Sequence, residues 1–580
     1  AYADLERFFN AEYPPHDYFA AANRLGKYNL TARTIAAVPY QVGDSRTFYT
    51  GSGSLEATLV AATTNAYFWV ENGLDLEETA VIAAANKLED EYYPLLVALF
   101  GQEWQPGIDN DPRFSVLHLR LPADAVELGF FSSIDEYPRT LYYDSNEQEM
   151  VYLNMSELVI GDELYEGTLV HEIQHLIQWH MDANEAGWLN EGLSQLAELY
   201  VGLQTATTAA YLEQPDIRLN TWNYDEDVID AHYAGAYLFA VYLWEQLGET
   251  AVQELSRHPA NGMAAVRAVL QGYSDLTLEQ FFANWAAANY LDNDAAGPAY
   301  IYNTLDLITP AMQEQVSQLP HSHTADLNQY GVHYIDLDVT GSITISFAGD
   351  TLVNLVDAPP PDSDRLWLAP SLDDTNAHLT FPFDLTDVTQ ATLAFDVWYD
   401  LEEDWDYAYV AISLDEGETW DLLRAESHTV GEYGPAWNGR SATNLTTTNG
   451  WISEAISLNQ YVGRSLLVRF ELLTDSAING QGFAVTNVRV PELGVFAAWG
   501  TAVAHWQAQG FVQTGWQLPQ QWQVQFIHLG SALAVEPLPL NDRNQGQWRV
   551  KLGRAGGVLV ITPLTPFTNH PGAYWLDVIR

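Results

Sequence analysis

The spacing of apolar residues in the first half of the chain is mostly helical. From residue 78 to residue 100, apolar side chains recur every three to four positions, and Gly101 follows as a stop signal. Short runs at 114–121 and 150–155 predict two strands. We therefore expect one mixed α+β domain that ends near residue 320. Further helical patterns cover residues 163–181, 190–203, 227–247, 263–270 and 278–291.

After residue 320 the period of the pattern changes from 3.6 to 2. Ile343, Ile345 and Phe347 alternate with Thr and Ser, and apolar residues at 522–526 alternate with glutamines. Many short runs of this kind are separated by Gly, Asn and Pro. Three successive prolines at 359–361 indicate a linker. The second half is therefore predicted to consist of all-β sandwich domains.

Composition excludes several classes of protein. The 580 residues include 77 acidic and 23 basic ones, for a net charge of −54, and such a surface repels nucleic acids and anionic lipids. There is no cysteine, so disulfides and thiolate sites are excluded. The longest apolar run, residues 233–244, is too short for a bilayer, and we expect no membrane insertion. Since the chain opens with Ala1, we expect that a leader was removed or trimmed.

One five-residue segment carries candidate chemistry. Residues 171–175 read His-Glu-Ile-Gln-His, and positions i and i+4 of a helix share one face, so both imidazoles can reach one metal ion. Glu172 then projects beside the ion, where it can take a proton from a water that zinc acidifies. For these five residues alone, the alternative is a helix with a hydrogen-bonded histidine pair.

A catalytic zinc needs a third protein ligand. His180 follows His171 by nine positions, one fewer than the third histidine of H-E-x-x-H-x-x-G-x-x-H requires, so that class is excluded. Glu191 lies sixteen residues after His175, in a Trp-Leu-Asn-Glu-Gly segment that opens the next predicted helix. A glutamate on the first turn of a helix antiparallel to the first can supply the third ligand.

The two motifs together resemble the gluzincin zinc peptidases. Within that group the segments HEIQHLIQW and WLNEGLSQLAE are similar to the hyicolysin-type neutral metallopeptidases, over about residues 55–295. The resemblance implies an α+β zincin-type catalytic domain that hydrolyses peptide bonds. It also implies that His171, His175 and Glu191 hold zinc and that Glu172 is the general base.

The sequence departs from the thermolysin-like pattern at one position. Gln195 stands where those enzymes carry an aspartate, so the residue that orients a zinc histidine must come from elsewhere. Glu198, two helical turns after Glu191, is our candidate. An ordinary solvent-facing glutamate is the alternative.

Peptide hydrolysis also needs a hydrogen-bond donor for the oxyanion, which gluzincins take from a Tyr or His on a later helix. Residues 230–237 read Asp-Ala-His-Tyr-Ala-Gly-Ala-Tyr and lie at a suitable distance along the chain. Tyr233 is our first candidate and His232 the second, while a core aromatic is the alternative for Tyr233. Residues 151–154 are our candidate for an edge strand that pairs with an extended substrate.

Residues 366–490 are similar to the jelly-roll module that follows the catalytic domain in immune inhibitor A-type proteases. Glu402, Asp404 and Asp406 crowd one turn of this module. Calcium, which prefers oxygen ligands, and a solvated acidic loop both fit these residues. We therefore divide the chain into an N-terminal region at 1–54 (a candidate pro-segment remnant), the catalytic domain at 55–320, the jelly-roll module at 359–493 and a β-sandwich formed by 321–358 with 494–580.

The sequence as a whole predicts a secreted zinc-dependent endopeptidase that acts on a protein or peptide substrate and has no evident obligate protein partner. Intact Glu172 and Glu191 argue against an inactive metallopeptidase-fold protein that serves binding or adhesion. The Gly-x-Met-x-Asn segment of gluzincin aminopeptidases is absent upstream of His171, which argues against that alternative. His321 and His323 form a His-x-His pair in a proline-flanked segment that we interpret as a linker.

Overall fold

A computed structural model describes residues 2–51, 53–441, 449–496, 506–530 and 532–580. A mixed sheet with a set of helices forms the first half, and paired β-sheets form the rest. The expected order of an α+β part followed by all-β parts is thus confirmed at the level of secondary structure. Within the described ranges, no helix has both the length and the apolar character that crossing a bilayer requires.

The first half contains one six-stranded sheet. Its strands are β1 (Ser45–Thr50), β2 (Gly53–Ala62), β3 (Ala66–Glu71), β4 (Phe114–Leu119), β5 (Gly129–Phe131) and β6 (Met150–Asn154). They follow the order β1-β2-β3-β4-β6-β5, in which β3, β4 and β6 are parallel and β5 is antiparallel to β6. Every residue of β4 and β6 is buried, as expected for central strands covered on both faces.

The helices of the first half include one at each predicted apolar pattern, together with several short ones that were not predicted. They are α1 (Tyr2–Phe9), α2 (Tyr18–Arg24), α3 (Glu78–Lys87), α4 (Tyr93–Phe100), α5 (Glu163–Met181), α6 (Gly187–Tyr200), α7 (Ala209–Glu213), α8 (Ile229–Leu247), α9 (Glu249–Leu255), α10 (Met263–Tyr273) and α11 (Leu278–Leu291). The predicted helix over 78–100 is interrupted by a π-helical turn at Leu88–Tyr92. Pro94 follows this turn and has no backbone N–H, so regular α-helical bonding cannot continue across it.

The remaining strands form two pairs of facing sheets and two small ribbons. They are β7 (Glu314–Val316), β8 (His321–Leu327), β9 (His333–Leu337), β10 (Gly341–Gly349), β11 (Leu352–Asn354), β12 (Leu366–Ala369), β13 (Asn376–Asp384), β14 (Thr392–Asp400), β15 (Tyr407–Ser413), β16 (Asp421–Leu422), β17 (Thr429–Gly431), β18 (Gly434–Ala436), β19 (Ile452–Ser457), β20 (Ser465–Leu473), β21 (Gly482–Val490), β22 (Val495–Phe496), β23 (Gln507–Gln509), β24 (Val512–Thr514), β25 (Gln517–Pro519), β26 (Trp522–Leu529), β27 (Leu533–Pro537), β28 (Gln545–Leu552), β29 (Gly557–Pro563) and β30 (Gly572–Ile579).

One pair of sheets forms the module in the middle of the β half. Its sheets have the orders β19-β14-β21-β12-β24 and β16-β15-β20-β13-β23. Strands β23 and β24 therefore belong to this module. The boundary predicted from the sequence, residue 493, is too early. Both strands are only three residues long, and an alternating apolar pattern cannot be recognised over so few residues.

The second pair of sheets has the orders β28-β10-β30-β8 and β27-β26-β29-β9-β7. It combines strands from before and after the module, so the chain leaves this sandwich, forms the module and returns. The outer face of the second sheet joins the core of the helical half: Ile527, Val558 and Val560 pack with its helices, and the Tyr334 hydroxyl donates to the Ala286 carbonyl oxygen at 2.7 Å. The helical half and the outer face of this sheet thus share one apolar core, whereas the space between the two sheets has its own.

The first 25 residues pack on the β half. Leu5 and Phe8 of α1 are buried against strands that include Val353, and Ala21 of α2 is buried beside Trp420. The N-terminal segment thus contributes to two β-domain cores. Its interpretation as a pro-segment remnant stays a prediction.

Candidate active site

The site is built on α5. Its apolar face, with Leu169, Ile173 and Leu176, is fully buried and fixes the helix against the domain core. His171 and His175 project from the same face of α5, one turn apart, and their ring centroids are 4.8 Å apart. Because the buried apolar face fixes α5, the two imidazoles are held side by side.

Helix α6 packs against α5 and brings Glu191 to the two histidines. Oε2 of Glu191 lies 3.2 Å from Nε2 of His171 and 3.5 Å from Nε2 of His175. One ligand atom from each of the three side chains lies within 4.8 Å of those of the other two. Two imidazole nitrogens and one carboxylate oxygen in this arrangement are the donor set of a three-ligand zinc site.

The outer ring nitrogen of each histidine has its own partner on α6. Nδ1 of His171 lies 2.8 Å from Oε1 of Glu198, and Nδ1 of His175 lies 3.1 Å from Oδ1 of Asn190. Both partners can accept an Nδ1–H, which leaves the lone pair of Nε2 directed at the metal position. The hydroxyl of Thr205 in turn donates to Glu198.

Of these outer partners, the sequence predicted Glu198 but not Asn190 or Thr205. Asn190 stands directly before Glu191, so its place in the Trp-Leu-Asn-Glu-Gly segment was the available signal. Thr205 lies beyond the end of α6, and no sequence pattern connects it to α5. Among the described residues, Gln195 forms no hydrogen bond with His171 or His175.

The histidines and glutamates of the cluster shift one another's pKa values. Burial lowers the pKa of His171, but hydrogen bonds to Glu191 and Glu198 outweigh it and raise that pKa well above the usual range. Burial raises the pKa of Glu191, yet His175 and His171 lower it to about 2. Glu191 is therefore an anion at neutral pH, as a metal ligand must be.

Glu172 lies beside the cluster in a cleft. Its side chain is 6% exposed, and burial raises its pKa although His171 and His175 partly offset this. A raised pKa favours a carboxylate that can accept and return a proton near neutral pH. The cleft is lined by residues of three helices, by β5 and by the module in the middle of the β half, among them Gly129, Phe131, His171, Glu172, His175, Glu191, Tyr224, Tyr233 and Asp373.

The two oxyanion candidates on α8 have different surroundings. Tyr233 lines the cleft, and its pKa is raised by burial and then by the charge of Glu191, so it stays a neutral phenol that can donate. His232 is buried and is not among the described residues that line the cleft. Burial lowers the pKa of His232 to about 4, so it is uncharged. Tyr224, which no sequence pattern singles out, also lines the cleft.

The strand at the cleft is β5, and the expectation of an edge strand at residues 151–154 is wrong. Those residues belong to β6, which lies between β4 and β5, so both of its edges are paired. In the described part of the chain, β1 and β5 are the two edge strands of this sheet, and β5 is the one at the cleft, where Gly129, Phe130 and Phe131 line it. A three-residue strand is too short for its alternation to be recognised in sequence.

The module in the middle of the β half forms one wall of the cleft. The backbone N–H of Gly187, at the start of α6, donates to Oδ2 of Asp373 in the module. In contrast, Glu402, Asp404 and Asp406 do not meet as a three-ligand group. Asp406 is buried and accepts a hydrogen bond from Ser371, whereas Asp404 is exposed. The calcium expectation therefore finds no support among the described residues.

Comparisons with known proteins agree with this organisation. The family described as "Immune inhibitor A-like, MAM domain" matches residues 354–515, which contain the module and its late strands β23 and β24. The Pre-pro-metalloprotease PrtV of Vibrio cholerae is 26% identical over 223 residues, which cover 36% of this chain and 22% of that protein.

Two Bacillus proteins match shorter segments. Immune inhibitor A of Bacillus thuringiensis subsp. alesti is 30% identical over 161 residues, 25% of this chain and 21% of that protein. Bacillopeptidase F of Bacillus subtilis is 32% identical over 108 residues, 18% of this chain and 6% of that protein. The chain matches about a fifth or less of the length of these relatives. The chain is thus similar over part of its length to proteins named as proteases, and residues 354–515 form an immune inhibitor A-like module.

Proposed function

We propose that this protein is a zinc-dependent endopeptidase of the gluzincin type. The observation that carries the proposal is the convergence of His171, His175 and Glu191 beside the buried carboxyl of Glu172 at an open cleft. When bound, zinc would supply Lewis-acid polarisation of the scissile carbonyl and acidify a water molecule. The hyicolysin-type assignment rests on the resemblance of the two motifs.

Each polar residue of the cleft then has a defined task. Glu172 accepts the proton of the attacking water and delivers it to the leaving amine. The phenol of Tyr233 donates a hydrogen bond to the oxygen that becomes negative during attack. Glu198 and Asn190 hold the two imidazoles in one orientation and one tautomer.

The substrate class follows from the backbone of the cleft. The free edge of β5 offers N–H and C=O groups to which an extended peptide can add as a further strand. Recognition through main-chain groups suits internal segments of a polypeptide. A location outside the cell belongs to the same proposal.

An aminopeptidase is the alternative function that the residues of the cleft also allow. Glu127, Asp182 and Glu185 also line the cleft, and a carboxylate is the group that holds a free α-amine. The amine-binding Gly-x-Met-x-Asn segment is nevertheless absent before His171. We therefore favour cleavage within the chain.

Peptide pairs that differ only at the N-terminus test this proposal. Each peptide is offered with a free and with an acetylated amine, and the products are identified by mass spectrometry. We expect internal cleavage of both forms at similar rates, loss of cleavage with a zinc chelator and recovery on adding zinc. Stepwise release of first residues from the free form alone would identify an aminopeptidase and contradict the proposal.

A further inference from the structure

A second cluster of metal-binding side chains lies in the β-sandwich. Glu314, His321 and His323 each place one ligand atom within 4.8 Å of those of the other two. Nδ1 of His323 lies 3.2 Å from Oε2 of Glu314. The cluster shares no residue with the cleft and takes no part in the function proposed above.

The two histidines lie on the inward face of a strand rather than in a linker. Segment 321–327 forms β8, and its burial alternates from residue to residue. His321 is paired with Val578 and His323 with Leu576, both of which are fully buried in the sandwich core. Because paired residues of neighbouring strands share a face, both imidazoles point between the two sheets.

Glu314 reaches the same space from the opposite sheet. Val316, two residues later on β7, is buried in the sandwich core, so Glu314 shares its inward face. Within the described strands, β7 ends one sheet and β8 ends the other. The three side chains therefore meet at one edge of the sandwich, and they join strands that no backbone hydrogen bond connects.

Two ring nitrogens at this edge lack any partner. Nε2 of His321 and Nε2 of His323 are shielded from solvent and form no hydrogen bond. A buried polar atom without a partner is costly, so such atoms usually contact an ion or a water. Two imidazoles and one carboxylate are the ligands that zinc and similar divalent transition metals prefer, whereas calcium and magnesium prefer oxygen alone.

We propose that Glu314, His321 and His323 bind a divalent transition-metal ion of the zinc class, which ties β7 to β8 across the edge of the sandwich. Strand β7 is the first strand after the helical half. The tie therefore fixes the sandwich at the point where the chain enters it. Its role is structural.

Zinc stoichiometry of the full chain tests this inference. The protein is stripped with a chelator, reloaded with zinc chloride and desalted, and bound zinc is then measured by mass spectrometry. We expect about two zinc ions per chain for the wild type and about one for the double variant His321→Ala/His323→Ala. The double variant Ser322→Ala/Thr324→Ala changes the exposed face of the same strand and should keep about two.

A variant of the cleft separates this inference from the proposed function. His171→Ala/His175→Ala should keep about one zinc, and zinc should still raise its melting temperature. That rise should vanish when His321 and His323 are also replaced. Wild-type zinc content in the His321→Ala/His323→Ala variant would overturn the second site and leave the cleft site intact.

Should the double variant fail to fold, Glu314→Gln provides the same test. It keeps the shape of the side chain and removes the anionic ligand, so zinc affinity at the second site should fall at least ~10-fold. Unchanged affinity there would also overturn the proposal. Circular dichroism of each variant reports whether the sandwich is folded.

Discussion

The cleft and the sandwich each contain two histidines and one glutamate, but the two backbones present them differently. In the cleft, His171 and His175 are four residues apart on a helix, whereas His321 and His323 are two apart on a strand. Both spacings place two imidazoles on one face. The periodicity of the element therefore decides which spacing makes a metal site.

The surroundings of the two clusters decide what a metal ion can do there. Glu172, Tyr233 and the free edge of β5 line the cleft around the first cluster. The second cluster lies between two sheets, and among the described residues its one ion pair is that of His323 with Glu314. The same ligands thus suit catalysis in one place and cross-linking in the other.

Removing one histidine from each cluster should give the largest difference. We expect His175→Ala to lower casein cleavage by ~10³-fold or more, because the metal that polarises the carbonyl is lost. We expect His323→Ala to leave cleavage per folded molecule unchanged. Initial rates with fluorescent casein measure both, and equal losses would contradict a division of roles between the clusters.

The oxyanion donor should give the next largest effect. Tyr233→Phe removes one phenolic hydrogen bond and should lower kcat by ~10²-fold, with little change in KM. Tyr224→Phe is the matched control, because Tyr224 lines the same cleft. Steady-state kinetics on a single quenched peptide measures the two variants. If Tyr224→Phe proves the more damaging change, the roles are reversed.

The charged outer partner should matter more for zinc affinity than for the fold. Glu198→Gln weakens the contact to Nδ1 of His171 and should lower zinc affinity ~10–100-fold. Glu213→Gln, an exposed change at the end of α7, serves as control and should have no effect. Competition with a coloured chelator gives the affinity. Unchanged zinc affinity in Glu198→Gln would show that Glu198 does not support the zinc ligands.

The neutral outer partner should give the smallest effect. Asn190→Ala should lower zinc affinity by less than about tenfold, because a neutral acceptor binds more weakly than a carboxylate. In addition, Oγ of Ser194 lies 3.2 Å from the same nitrogen of His175 and can replace the lost contact. The same competition assay applies, and Asn190→Ala/Ser194→Ala should exceed either single variant. A larger loss for Asn190→Ala than for Glu198→Gln would reverse this ranking.

Sequence patterns foretold the helices of the site better than its strands. The apolar stripe of α5 spans nineteen residues, and the structure confirms both of its predicted ends. The position of Glu198 could also be predicted, because two helical turns separate it from Glu191 on one face of α6. Long periodic elements carry enough repeats for their faces to be read.

Short elements and long-range contacts could not be predicted in the same way. Strand β5 has only three residues, too few for an alternating pattern to be recognised. Strand β8 follows a proline, which favoured a linker over a strand in the sequence prediction. The contact of Asp373 with Gly187 joins residues 186 positions apart. Such contacts depend on how whole domains pack, which local periodicity does not encode.

The most direct test of the central claim compares the wild type with Glu172→Gln, with zinc content and casein cleavage measured on the same samples. The wild type should bind zinc in the cleft and cleave casein. Glu172→Gln should keep the zinc and lose cleavage by ~10³-fold or more, because an amide cannot accept the proton. Wild-type cleavage by Glu172→Gln, or a folded wild type that cleaves without zinc, would contradict the account.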